Sequence, residues 1–121
     1  MFLNKRSLGV VLALVLGTAT HADQPTLSIQ QQARLVDFGI EVIVVVNCEG
    51  ATAFEVNVGV RQGDMASQSF GVNFPSSGGK EVVPVFVPGV FTAGQADATA
   101  VLACNTLLEG MSVGQSIRII E

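Results

Sequence analysis

Apolar residues recur at every second position through most of this chain, which is the period of a pleated strand rather than a helix. In residues 40 to 48, IEVIVVVNC, one face carries Ile40, Val42, Val44, Val46 and Cys48. In residues 52 to 62, Phe54, Val56, Val58 and Val60 alternate with Glu55, Asn57 and Arg61. In residues 96 to 104, Ala96, Ala98, Ala100, Leu102 and Cys104 share a face, with Asp97 and Thr99 pointing away. TLSIQ (26 to 30) and ARLV (33 to 36) predict an opening strand pair or one interrupted edge strand. QSFGVNF (68 to 74) predicts a weaker strand, ended by the turn residues of PSSGGK. EVVPVFVP (81 to 88) follows, with Pro84 marking an edge or a bulge. GQSIRII (114 to 120) closes the series. About seven short strands separated by turn signals predict an all-β fold, a two-sheet sandwich.

The first 22 residues break this pattern. Lys5 and Arg6 precede a short apolar run, Leu8 to Leu16, and Thr20 and Ala22 stand three and one residues before an expected cleavage point. That order predicts a secretory signal peptide over residues 1–22; an uncleaved anchor is the alternative. The run is shorter than the roughly 20 residues a spanning helix needs. Residues 23–121 are then one domain with no membrane span, in a secreted or periplasmic protein.

Removal of the leader changes both the charge and the available chemistry. The whole chain has a formal charge of −4. Without residues 1–22, four cations (Arg34, Arg61, Lys80 and Arg118) face all ten carboxylates. So acidic a surface argues against nucleic acid, whose phosphates need clustered Lys and Arg. His21 is the only histidine, and the sequence has no Trp or Tyr, which removes most familiar catalytic arrangements.

Two cysteines remain, Cys48 and Cys104. In an exported chain an even pair reads as a disulfide. A thiolate metal site is the competing reading, and it lacks further ligands. Each cysteine ends the apolar face of its strand, so the bridge is expected to pin two sheets together.

The stretches EVIVVVNC, FEVNVGVRQ and FTAGQADATAVLAC, with cysteines on the second and sixth strands, resemble an immunoglobulin-like module of secreted bacterial proteins. The resemblance implies an inter-sheet Cys48–Cys104 bridge. It departs from the antibody pattern where Phe54 replaces the core Trp and Leu102 takes the Tyr-corner position. It also implies that EVVPVFVP lies beside EVIVVVNC. Both strands are apolar on both faces, so Ile43 and Val45 would adjoin Val82, Pro84 and Phe86. An apolar patch of that extent predicts an interface, either with a protein partner or with a second copy. Ordinary strand residues, or a loop folded over them, explain the same pattern.

Chemical motifs add little. GMSVG (110 to 114) satisfies G-x-S-x-G, but Ser112 has no histidine, and a Ser–Lys arrangement with Lys80 has no supporting spacing; the segment reads as a loop. The carboxylates are spread singly along the chain. Glu49, Asp64 or Glu109 are the candidates for a loop calcium site, without a D-x-D-x-D-G loop to support them. No cofactor, metal ligand set or catalytic residue is predicted. The expected role is a non-catalytic binding or structural module. The alternatives are a small enzyme or enzyme inhibitor using loop carboxylates, and a pilin-like subunit joined by strand exchange through Leu27, Ile29, Ala33 and Leu35. Loops near 49–53, 75–80 and 105–114 are secondary binding candidates.

Overall fold

The computed structural model describes residues 25–105 and 110–121. Eight strands account for most of them: β1 (Thr26–Val36), β2 (Gly39–Asn47), β3 (Ala53–Gln62), β4 (Met65–Gln68), β5 (Val72–Pro75), β6 (Lys80–Pro88), β7 (Gly94–Cys104) and β8 (Met111–Ile120). Among the described residues no helix is long and apolar enough to cross a membrane.

The strands form one hydrogen-bonded sheet in the order β4-β3-β7-β8-β1-β2-β6, with β5 also on β3. The sheet is curled into a half-barrel, so β6 at one end comes back toward β3 and β4 without hydrogen-bonding to them. Two sheets were expected from the sequence, and β1 accounts for the difference. It pairs antiparallel with β2 through Thr26–Ile29 and again through Ala33–Val36, with a register shift between Ile29 and Ala33, and its second half also pairs parallel with β8 through Gln32, Ala33 and Arg34. Rather than an edge strand, β1 is an interior strand that joins the two halves of the ladder.

The alternation read from the sequence sets the core. Ile40, Val42, Val44, Val46, Phe54, Val56, Val58, Val60, Ala96, Ala98, Ala100 and Leu102 are all buried. Small residues on β7 meet larger ones on β3: Val58 lies opposite Ala100 and Val60 opposite Ala98. Cys48 and Cys104 form a disulfide with Cα atoms 5.7 Å apart. It joins the end of β2 to the end of β7 across the concave interior, although β8 and β1 separate those strands in the ladder. Phe54 pairs with Cys104, and its ring stacks on Phe74 at 5.5 Å between centroids. Beside the bridge, the Thr52 N–H donates to Asn105 Oδ1 (3.2 Å), and Asn105 Nδ2 donates to Thr52 Oγ1 (2.8 Å).

Two segments differ from the sequence reading. The expected strand at 68 to 74 is two short strands, β4 and β5, both on the same edge of β3. Between them buried Ser69 carries the ladder on: its N–H donates to the Val58 carbonyl and its hydroxyl accepts from the Val58 N–H, each at 2.8 Å. Residues 111 to 114, expected as a loop, belong to β8 and pair with β7 from Leu102 to Thr99. The strong alternation of β7 provides the template, and Gly114 and Ser112 need only extended backbone to use it.

Candidate functional site

The five residues singled out as a surface patch fall together. On the outer side of the β2–β6 pair, Ile43 lies opposite Pro84, and Val45 opposite Val82. Phe86 is on the same face, opposite Glu41. Ile43 and Val45 are half-buried, whereas Val82 is 60% and Phe86 41% exposed. Inward, Val83, Val85 and Val87 are buried. The two-faced strands therefore meet the core with one face and solvent with the other.

Phe86 also serves the fold. Gly39 has no room for a side chain: a methyl there would overlap the Val87 carbonyl and lie 2.8 Å from the Phe86 ring. The ring thus covers a glycine in the neighbouring strand, and the remainder of its surface faces solvent.

Pro84 has a definite place in the ladder. The Gly89 N–H donates to the Phe38 carbonyl at 2.9 Å, just beyond the end of the β2–β6 pair. Hydrogen-bonded and non-hydrogen-bonded pairs alternate along antiparallel strands. Counted from that bond, Gly39–Pro88 and Ile43–Pro84 are non-hydrogen-bonded pairs, so both proline nitrogens face the outer edge of β6. That edge lacks two of its donors, a common protection against unwanted strand addition.

The apolar surface extends past these five residues. A groove of about 120 Å³ lies in the seam of the curled sheet, lined by Val56, Phe70, Phe74, Pro84, Val85 and Phe86 together with Ser69. Phe70, in the link between β4 and β5, is 71% exposed. At the end of β6, Phe38 is 89% and Val90 88% exposed, held near one another by the Gly89–Phe38 bond. Of the exposed large hydrophobic residues among the described residues, Phe38, Val82, Phe86 and Val90 lie on β6 or at its end, Phe70 faces β6 across the seam from the edge of β3, and Val101 lies away from it on β7. The sequence pattern located only the strand members of this group. Phe38, Phe70 and Val90 sit in turns, where alternation gives no signal.

The opposite outer face, on β3, β7 and β8, is polar apart from Val101. Across it run the register rows Arg61–Asp97–Ser116 and Gly59–Thr99–Gly114. Ser116 Oγ donates to Asp97 Oδ1 at 3.2 Å. A shallow trough of about 530 Å³ lies above Gly59, with Arg61, Gln68, Asp97 and Thr99 on its walls. These side chains are polar and solvated, with no aromatic surface among them.

The chemical candidates do not converge. Ser112 is an exposed strand residue paired with Val101, while Lys80 begins β6, with β1 and β2 between that strand and β8 in the ladder. Glu49 follows β2 and precedes β3, whereas Asp64 lies beyond the far end of β3, about 30 Å of strand away. Glu109 lies outside the described residues, as does part of the 105–114 segment. Among the described residues no three His, Cys, Asp or Glu side chains gather in a way that would hold a metal ion.

Comparison of the chain with known protein families and with curated proteins finds no match.

Proposed function

We propose that residues 23–121 act as a secreted or periplasmic, non-catalytic binding module of immunoglobulin-like architecture, in contact with another protein through the outer face of β2 and β6. A single observation carries the reading: the large exposed apolar side chains concentrate on β6 and its flanks, while the β3–β7–β8 face is polar. Scattered surface apolar residues are ordinary, but a contiguous group of them is the usual mark of an interface.

The architecture draws support from the strand order and from the bridge. β2, β6 and part of β1 make one layer, and β3, β4, β7 and β8 the other, with the Cys48–Cys104 disulfide between them. Export draws support from the leader-like N-terminus and from the disulfide, which fits an oxidising compartment. The strand-exchange alternative is weakened by two features. β8 already fills the place between β7 and β1, and Pro84 and Pro88 blunt the free edge of β6. Contact through side chains of the face, rather than through added backbone pairing, is what this surface favours.

Val82→Glu tests the reading. It places a charge in the middle of the exposed patch, on a side chain that contributes little to the core. The protein should keep its melting temperature and lose association, measured both as self-association by sedimentation and as capture of partners from the exported fraction. If both kinds of association are unchanged, the patch is ordinary surface and the reading fails.

A further inference from the structure

The seam of the curled sheet is held by side chains. Among the described residues no hydrogen bond joins β6 to β3, β4 or β5. One contact closes the end of the seam beyond the apolar groove. Gly89, just past β6, has φ of +146°, and the space where a side chain would stand is taken. A methyl there would overlap the terminal methyl of Met65 and lie 2.9 Å from the Phe91 ring. Met65 therefore reaches from β4 to the end of β6 and rests on bare backbone beside a buried phenylalanine. The sequence of β4 is MASQ, so Met65 is its single large apolar side chain, and Ala66 and Gln68 are exposed. Only four residues long, β4 is hydrogen-bonded on one side, to β3. Gln62, the register partner of Met65, holds the β6–β7 loop by other means. Its Nε2 donates to the Thr92 carbonyl (2.8 Å), and its Oε1 accepts the Thr92 N–H (3.0 Å). The loop is thus tied to β3 independently of Met65, and the Met65 contact fixes β4 against the end of β6.

We propose that Met65 is an oxidation-sensitive clasp: hydrogen peroxide converts it to the sulfoxide, β4 lifts from the end of β6, and the seam opens beside the apolar groove. Met65 is half-buried, which leaves it open to a small solute. In the reaction a sulfur lone pair takes one oxygen atom from the peroxide, the O–O bond breaks and water leaves. Sulfur is oxidised by two electrons as the peroxide is reduced. A flexible apolar side chain thereby becomes a polar one. Against Gly89 and Phe91 the new oxygen finds no free donor, because the Gly89 N–H is already given to the Phe38 carbonyl at 2.9 Å. A polar group without a partner is costly to keep out of water. The S–O group therefore turns to solvent and carries the Met65 side chain off Gly89. The chemistry is confined to this place. Met111 lies on β8, in the interior of the ladder, and the two cysteines are bonded to each other.

The test is peroxide treatment of purified Met111→Leu protein, with peptide mass spectrometry to read oxidation at Met65 and hydrogen exchange to read the opening. After oxidation the β4 amides should exchange about tenfold faster or more, while β2 and β7 keep their protection. In the same background, Met65→Leu keeps the bulk of the side chain without the sulfur, and should show unchanged β4 protection and no response to peroxide. Met65→Gln, a polar chain of similar length, should show the faster exchange with no peroxide added. Resistance of Met65 to peroxide in the folded protein overturns the proposal. So does an oxidised Met65 that leaves β4 exchange unaltered. Acceleration that spreads through β2 and β7 overturns it too, because that is loss of the core rather than release of the seam.

Discussion

The two outer faces of the curled sheet share one core and differ in what they present to solvent. On the inside, β2 and β6 offer Val and Ile as β3 and β7 offer Phe, Val and Ala, and the disulfide ties them together. On the outside, β2 and β6 present Ile43, Val45, Val82, Pro84 and Phe86, whereas β3, β7 and β8 present Asn57, Gly59, Arg61, Asp97, Thr99 and Ser116. The fold needs only one apolar face per strand. The second apolar face is therefore extra, and it lies next to an exposed phenylalanine and an apolar groove.

The comparison can be broken most severely from within. Replacing both Cys48 and Cys104 by Ala opens a bridge of sequence separation 56, which the chain-entropy model values at about 4 kcal/mol. Both faces should lose hydrogen-exchange protection together, and the denaturant midpoint should fall accordingly. Protection lost on one half of the sheet alone would mean that the halves fold separately.

Truncation of the side chain that meets the bridge comes next. Phe54→Ala empties a buried ring site against Cys104 and Phe74, and should cost about 3–5 kcal/mol in chemical denaturation. Its effect belongs to the core and should leave the preference between faces unchanged.

Glycines then separate the faces directly. Gly39→Ala drives a methyl into the Val87 carbonyl and the Phe86 ring, and should destabilise by about 1–3 kcal/mol. Gly59→Ala, in the middle of the polar face, meets nothing closer than 3.8 Å, and should stabilise by roughly 0.5 kcal/mol as a strand loses a flexible residue. Thermal unfolding of the pair distinguishes a face on which side chains pack over backbone from one open to water. Equal responses would remove the structural contrast.

The smallest effect on stability is expected from Arg34→Ala, which removes an exposed ion pair with Glu41 at 3.3 Å. Such pairs contribute up to about 1 kcal/mol, reduced by salt. The change should be hard to detect in melting at high ionic strength.

Much of this arrangement was legible in the sequence. The inward faces of β2, β3 and β7 follow from alternation, because a one-residue slip would turn every valine outward. Cys48 and Cys104 followed from their places at the ends of those faces, and Pro84 correctly marked β6 as an edge. What was not legible depends on neighbours. MASQ has no apolar alternation, and it becomes β4 because a tight turn at Gly63, with φ of +61°, folds it back on β3. Met111–Gly114 reads as a loop from its glycines and is a strand because β7 templates it. The joining of the two halves of the sheet through β1 depends on an irregularity between Ile29 and Ala33 that no local pattern announces. For the candidate site, period-two reasoning found the strand residues and missed Phe38, Phe70 and Val90, whose significance comes from exposure and from a groove formed by distant segments.

The contrast between faces is tested most directly by covalent surface labelling with a carbene reagent at low and at high protein concentration. Labelling of Phe38, Phe70, Val82 and Phe86 should fall as concentration rises, while that of Val101, exposed on the opposite face, stays constant. Equal labelling of both sets at every concentration would contradict self-association through the β6 surface.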